Sequence, residues 1–386
     1  MNILFLAPHP FYQERGTPIA VRLLLGELSR RGDHVDVLTY HEGADVAFPG
    51  VVLHRIPRLP GIRRIRPGFS LKKLVCDVFL LARALRMVRR KKYHLVHAVE
   101  EAAFIGLLIK RRFGIPYVYD MDSSMSRQMA DKNPLFRPIV PLLKDFEGAA
   151  IRGALVVVPV CDALAGIARQ YHPHNIRLLR DVSLLSVLDH PNGARAEKLD
   201  MAGTRFMYIG NLESYQGIDL LLQSFALLHA ERNHATLVII GGTPRDIAAY
   251  QVQAARLGID QYVQFIGPRS VSMMAGFFRQ ADVLVSPRIR GDNTPMKIYS
   301  YLQSGQAILA TNLPTHTQVL TPDVARLAPP EPRPFADAMR YLMDNPVARK
   351  QLADRAALLA KEQYSLPVFA RTANELYQWL ETQVMP

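Results

Sequence analysis

Cysteine is nearly missing from this chain. Two occur in 386 residues, Cys76 and Cys161, each inside an apolar run, so neither a disulfide framework nor a cysteine metal site is expected, and the pair is read as buried thiols of a reducing compartment. Tryptophan occurs once, which leaves little for stacking nucleic-acid bases. No apolar run reaches the roughly 18 residues that a membrane span needs; the best, Leu74 to Val88, is broken by Asp77, Arg83 and Arg86. The opening Met1-Asn2-Ile3-Leu4-Phe5-Leu6-Ala7 lacks a basic leader and a small-residue cleavage site, and reads as a buried first strand. No G-x-G-x-x-G follows it, so the usual dinucleotide fingerprint is absent. Acids are scarce in one place only. Between Arg55 and Lys92 stand thirteen Lys/Arg and a single acid, Asp77, a local net of +12 out of a total of +13. The basicity is therefore one segment's property.

What is present is a core-forming composition, 49% hydrophobic and 21% charged, long enough for two domains. In the first half, Ile3–Ala7, Val35–Thr39, Val51–Ile56, Leu95–Ala98, Tyr117–Tyr119, Leu155–Pro159 and Ile176–Leu179 read as strands. Most are near-continuous apolar runs, as strands covered on both faces are. Helices fit at Pro18–Arg31, Leu71–Arg90 and Ala102–Arg112. The second half restarts the pattern, with strands at Phe206–Gly210, Thr236–Ile240, Val263–Ile266, Val283–Ser286 and Ala307–Thr311, and helices at Asp219–Ala230, Asp246–Leu257, Val271–Gln280 and Pro295–Ser304. This alternation predicts an α/β fold with two doubly wound parallel sheets. The polar Asp189–Gly203 stretch predicts the linker, hence domains 1–188 and 189–366, with a last helix in 367–386 packing back on the first.

The richest motif runs from Ser286 through Gly305. Thr294 is suited to an N-cap, Pro295 to the first helical position and Gly305 to the C-terminal cap. Lys297 then falls in the first turn, where a cation opposes the helix dipole unless an anion is bound there. With Arg288 and Arg290 just upstream, this pattern suits a diphosphate; the plainer alternative is a capped helix with solvated basic residues. Tyr208-Ile209-Gly210-Asn211-Leu212-Glu213-Ser214-Tyr215-Gln216-Gly217 is a second strand-to-helix loop, with glycines that let backbone approach a ligand, and Gly241-Gly242-Thr243-Pro244 is a third. Each is weak alone; three on one edge of one domain carry more.

These motifs give the chain its resemblance. Arg15-Gly16-Thr17 after the opening strand, the Leu28-Ser29-Arg30-Arg31-Gly32-Asp33-His34-Val35 continuation, Tyr208-Ile209-Gly210-Asn211 with Gln216-Gly217, and Asp292 with Ser300 resemble a retaining glycosyltransferase of family 4, over nearly the whole chain. The resemblance implies the GT-B fold, two Rossmann-like domains facing across a cleft, and a nucleoside-diphosphate sugar held mainly by the second half. It implies donor contacts at Gly16, Gly210, Asn211, Gln216, Arg288, Arg290, Asn293, Thr294, Lys297 and Ser300. Asn211 and Gln216 stand where the family has Arg and Lys on the phosphates, and Ser300 where it has the ribose-binding Glu; Arg288, Arg290 and Lys297 are expected to compensate. Asp292 keeps the acid that meets the donor sugar. Tyr215-Gln216-Gly217 with Lys297-Ile298-Tyr299-Ser300-Tyr301-Leu302 resembles a branch linked to exopolysaccharide assembly. Asp122 falls where the family has a His near the reacting centre, with a turn or cap role as the alternative. The two are the expected catalytic residues.

Asp120-Met121-Asp122 has the D-x-D form of a metal clamp, but a three-residue match is short and the two-domain alternation speaks against the fold that uses it; no metal or other cofactor is expected. His97, Glu100 and Glu101, at the end of another strand, are candidates for an acceptor hydroxyl, against a packed histidine beside a solvated loop pair. The implied acceptor is a saccharide or a lipid-linked saccharide. The apolar spacing Leu74, Val75, Val78, Leu81, Ala82, Leu85, Val88 predicts a helix whose stripe faces the core, with insertion into lipid as the alternative, and the basic residues of segment 55–92 are expected to meet an anionic membrane surface, not nucleic acid, from the cytoplasmic side. A nucleotide-sugar epimerase, or a GT-B-like binding protein without chemistry, are the competing functions.

Overall fold

The computed structural model describes residues 1–13, 16–63, 65, 70–127, 140–185, 196–199, 202–232 and 234–385. The chain separates into two compact units, Met1–Arg180 with Phe369–Pro386, and Asp181–Val368. The expected boundary at 188–189 lies outside the described residues, as does most of the Asp189–Gly203 stretch.

The first unit holds β1 (Asn2–Ala7), α1 (Gly16–Arg30), β2 (His34–Thr39), β3 (Val51–Arg55), α2 (Leu71–Arg90), β4 (Leu95–Val99), α3 (Ala102–Phe113), β5 (Tyr117–Met121), α4 (Val140–Gly153), β6 (Val156–Pro159) and α5 (Asp162–Arg169). Its six strands are parallel in the order β3-β2-β1-β4-β5-β6. The second unit holds β7 (Thr204–Ile209), α6 (Ile218–Glu231), β8 (Ala235–Ile240), α7 (Pro244–Arg256), β9 (Val263–Gly267), α8 (Met274–Phe278), β10 (Val283–Ser286), α9 (Lys297–Gln303), β11 (Ala307–Thr311), α10 (Pro314–Thr317), β12 (Arg326–Ala328), α11 (Pro332–Asp344) and α12 (Pro346–Gln363). Its order, β12-β11-β10-β7-β8-β9, is the same topology repeated, also all parallel. The apolar runs are buried on both faces: along β7 and β8, Phe206, Tyr208, Leu237 and Ile239 pack into one core layer and Met207, Val238 and Ile240 into the other. The chain closes with α13 (Leu366–Val384), whose Phe369 to Val384 part belongs to the first unit by its contacts.

In four places the structure differs from the sequence reading. Ile176–Leu179 forms no strand; Ile176 makes only an isolated bridge to Val157. Val271–Gln280 divides into a 3-10 turn at Val271–Met273 and α8. The short edge strand β12 went unread because three residues carry no period. The fourth concerns α2. The side chains buried on it are Lys73, Cys76, Leu80, Ala84 and Val88, while Leu74, Val75 and Val78 face outward. Val88 of the expected stripe is buried and Leu81 and Leu85 pack partly on the core, so the outward turn is confined to the first half of the helix.

In both sheets the winding direction reverses beside the central strand, between β1 and β4 and between β7 and β10. Loops at the carboxyl ends of those strands diverge to opposite faces, and the crevice between them is where doubly wound sheets take ligands.

Candidate active site

In the second unit the two loops flanking the reversal point are those after β7 and β10. They are tied by the Ile289 N–H, which donates to the Tyr215 carbonyl at 2.9 Å. The approach is so close that a Cβ on Gly217, already at φ +75°, would stand 2.0 Å from the Pro287 oxygen. Glycine is required there by contact as well as by the left-handed backbone. The loop after β8 joins them: a Cβ on Gly241 would lie 2.1 Å from the Gly210 oxygen. Thr243 and Asp246 form a capping box at the start of α7. The three glycine-bearing loops read from the sequence therefore meet in one place.

Two cations enter this place. The Lys297 ammonium lies 3.9 Å over the Tyr208 ring, 3.3 Å from Gln216 Oε1, and 3.2 Å from the point where a Cβ would stand on Gly210. Burial among protein atoms, and then repulsion from Arg288, push its pKa well below the usual lysine range. Arg288 is 8% exposed; its guanidinium faces the Tyr215 ring at 5.2 Å and donates to the Arg290 carbonyl at 2.6 Å and to Asn293 O and Oδ1 at 3.3 and 3.1 Å. Its pKa too is lowered, by burial. Among the described residues neither cation has a carboxylate within ion-pair distance, although the Asp292 charge acts on Arg288. The pair also depresses buried His316, which burial first of all drives down to about 3. Neutral His316 accordingly serves the core, bonding to Ser286 and Thr311.

The remaining residues sort by position. Gln216 is buried and Asn211 exposed, its side-chain oxygen accepting the Glu213 N–H at 3.3 Å. Arg290 is exposed and Asn293 holds Arg288. Thr294 is not an N-cap. α9 begins at Lys297 after Met296, and the Thr294 hydroxyl is buried without a hydrogen-bond partner. The helix starts late because Pro295 closes a turn onto the Ile298 N–H at 2.9 Å. Ser300 is 5% exposed, and its Oγ accepts the Leu184 N–H at 3.1 Å. Asp292 is partly buried and its carbonyl accepts from Gln318 at 3.0 Å.

In the first unit the expected acceptor residues separate. His97 is fully buried, stacked 4.3 Å from Phe5, with Nε2 3.0 Å from Asp120 Oδ2 and Nδ1 2.7 Å from the Tyr377 hydroxyl. It is a packed core histidine and cannot meet an acceptor; it points to the face that α13 covers. Asp120, within β5, is the other end of that network. Glu100 and Glu101 do lie at the carboxyl edge, beside the β1–β4 reversal. Glu100 has φ +47° and accepts from Ser123 at 3.1 Å. Glu101 pairs with Lys73 of α2, while the Tyr40 hydroxyl donates to Asp77. Burial, with Glu100 and Asp77 nearby, raises Glu101 to about 8 against the pull of Lys73, and burial raises Asp77 to about 6. Asp122 follows β5 at the same edge, next to Ser123. Gly16 opens α1 in open space, with nothing within 4 Å of an added Cβ.

Two profiles of known families cover most of the chain: "Glycosyl transferase 4-like domain" over residues 15–180 and "Glycosyl transferases group 1" over 203–345. The chain belongs to the family 4 type of glycosyltransferase. Among relatives of this family, the alpha-D-kanosaminyltransferase of Streptomyces kanamyceticus is 24% identical over 90% of this chain and 95% of its own. The phosphatidyl-myo-inositol mannosyltransferase of Mycobacterium leprae is 24% identical over 50% of this chain, a match spanning about half its length, 53%. Among solved structures, HepE of Anabaena, crystallised with UDP, superposes with a TM-score of 0.73 at 14% identity over 98% of this chain and all (100%) of that one. The fold of this glycosyltransferase is thus GT-B, two Rossmann-like domains.

Three residues of the candidate sites, two in the second unit and one in the first, were not singled out from the sequence. Tyr208 and Tyr215 supply the rings against Lys297 and Arg288, and Lys73 partners Glu101. Lys73 had a signal, since it continues the Cys76-Leu80-Ala84-Val88 face at helical spacing. The tyrosines had none beyond their place in the loop.

Proposed function

We propose that this glycosyltransferase binds a nucleoside-diphosphate sugar through its second unit and transfers the sugar, with retained anomeric configuration, to a saccharide or lipid-linked acceptor. The reading includes surface or exopolysaccharide synthesis and work at an anionic membrane surface. The observation that carries it is the pair Lys297 and Arg288: two partly or fully buried cations, without a carboxylate ion pair among the described residues, at the strand-order reversal where three glycine loops meet. Burying unpaired positive charge is costly unless an anion joins it. A diphosphate supplies that anion and receives N–H bonds from glycine-loop backbone. HepE's complexes with UDP and UDP-glucose support this donor class, and the mannosyltransferase's lipid-derived name supports the lipid-linked acceptor.

In this reading the bond from the anomeric carbon to the diphosphate breaks as the acceptor oxygen bonds to that carbon. The acceptor proton leaves to the departing diphosphate oxygen. Lys297 and Arg288 hold the charge that grows on the leaving group, which is where electrostatic help acts. Asp292 meets the donor sugar and Asp122 the reacting centre. Arg288 serves partly through the loop it braces; Asn211 and Gln216 contribute polarity without charge. No metal is called on.

A panel of nucleoside diphosphates and their sugars, read by thermal shift, tests this. At least one raises the melting temperature of the wild type; Lys297→Ala weakens its affinity by about tenfold to a hundredfold, the loss of one charged hydrogen bond. No shift with any nucleotide, or an unchanged affinity in both Lys297→Ala and Arg288→Ala, would remove the proposal.

A further inference from the structure

α2 carries two faces with opposite chemistry. Inward lie Lys73, Cys76, Leu80, Ala84 and Val88. Outward lie Leu71, Leu74, Val75, Val78 and Phe79, at i, i+3, i+4, i+7 and i+8, with Leu71 76% and Val78 59% exposed. Single exposed apolar side chains are ordinary, but a contiguous helical stripe of five is not. The stripe has company. α3 packs beside α2 and α4 beside α3 on the same side of the sheet, and they expose Leu108, Leu142 and Phe146, with Phe146 edge-on to Phe104 at 6.5 Å. Eight of the sixteen large apolar side chains exposed among the described residues stand on these three helices.

The bulk of this apolar surface has a definite place. Lys73, in the first turn of α2, meets Glu101 at the carboxyl end of β4, and Glu147 of α4 accepts from Ser124 and Ser126 just beyond β5. Leu71 to Phe79 and Leu142 to Phe146 therefore lie on the carboxyl-edge halves of their helices. The exposed charges of the same helices are one-sided: Lys72, Arg86, Arg89, Arg90, Arg111, Arg112, Lys144 and Arg152 against Asp145 alone, with the two lysines beside the apolar residues and the arginines toward the amino-edge ends of the helices.

We infer that the outer faces of α2, α3 and α4 form one docking surface for an anionic bilayer, in which Leu71, Leu74, Val75, Val78, Phe79, Leu142 and Phe146 enter the interface and the arginines engage the headgroups. This deepens the membrane part of the reading above and rests on it. Segment 55–92 alone would give charge attraction, which salt screens; apolar insertion adds a salt-resistant contribution that grows with each buried methylene. Charge complementarity selects a bilayer over a second copy of this chain, since two such faces would oppose eight exposed cations to eight. Insertion at the carboxyl-edge half sets the acceptor side of the first unit against the lipid surface.

Co-sedimentation with neutral phosphatidylcholine vesicles and with vesicles containing phosphatidylglycerol decides it, using the full chain. The wild type is expected to pellet with anionic vesicles and to keep part of that binding in high salt. Leu71→Ser/Leu74→Ser/Val78→Ser, at exposed positions and so folded with an unchanged melting temperature, partitions about a hundredfold more weakly. Arg86→Ser/Arg89→Ser/Arg90→Ser loses affinity for anionic vesicles and retains the salt-resistant part. A fluorophore on Val75→Cys shifts its emission to the blue on binding. Equal partitioning of the Leu/Val variant and the wild type, or no blue shift, overturns insertion while leaving charge attraction standing. A wild type that ignores both vesicle types, or a dimer that the Leu/Val variant splits, overturns the docking surface altogether. None of these outcomes alters the nucleotide shifts that test the donor site.

Discussion

Lys297 brings its charge into a crowded corner between Tyr208, Gln216 and Gly210, and burial together with Arg288 lowers its pKa. The sign of the pH dependence follows. A lysine depressed in the folded state binds fewer protons there than in the unfolded chain, so its contribution to stability rises with pH through that range. A bound diphosphate favours the charged form. At pH values above that lowered pKa nucleotide binding is expected to take up a proton, and affinity to fall as pH rises through that range. Calorimetry in two buffers of different ionisation enthalpy, repeated over a pH series up to the ordinary lysine range, measures the uptake; Lys297→Met abolishes it, and zero uptake by the wild type at every pH would contradict the assignment. At this scale the sequence was only half legible. That Lys297 breaks the local dipole rule could be read from Thr294-Pro295-Met296-Lys297. That His97 turns into the core, or that Thr294 fails to cap, depended on which face each backbone presented. One residue of rotation along a strand or helix exchanges core for surface.

Gly217 shows how an element's ends fix its neighbours. It ends one turn, opens α6, and lies against Pro287. Gly217→Ala is expected to cost about 1–3 kcal/mol from the positive φ and the overlap. Because the overlap pushes the β7 and β10 loops apart, it also weakens nucleotide binding. Gly258→Ala, at φ +69° with nothing within 4 Å of the added Cβ, is the control that shares the backbone strain without the contact. Thermal melts with and without nucleotide separate the two; equal nucleotide affinity in both variants would count against the loops acting together. Strands such as β8, six buried residues in an apolar run, could be read directly, since composition alone demands cover on both faces. α2 could be read as a helix but not oriented, since it offers apolar residues on two sides.

At the scale of the whole chain, α13 returns to the first unit, where Phe369, Leu376, Tyr377 and Leu380 are buried and Tyr377 bonds to His97. At roughly 1.5–3 kcal/mol for each large buried side chain, its loss removes an amount comparable to a domain's entire stability of about 5–15 kcal/mol. Truncation after Val368 is expected to abolish the unfolding transition of the first unit in calorimetry and to leave that of Asp181–Val368. Tyr377→Phe lowers the former only slightly, by about 1 kcal/mol. Two intact transitions after truncation would refute this. By itself the sequence determined the alternation of buried strand and helix, the restart of that alternation in the second half, and the glycine loops with their nearby cations, because these are local properties of composition and spacing. Only the tertiary structure decided that both sheets share one strand order, that Lys297 and Arg288 meet at its reversal point, and that Leu71, Leu74, Val75, Val78 and Phe79 of α2 point outward. Those outcomes depend on which distant segments lie side by side, and on which of two possible packings buries more, quantities that no single segment contains.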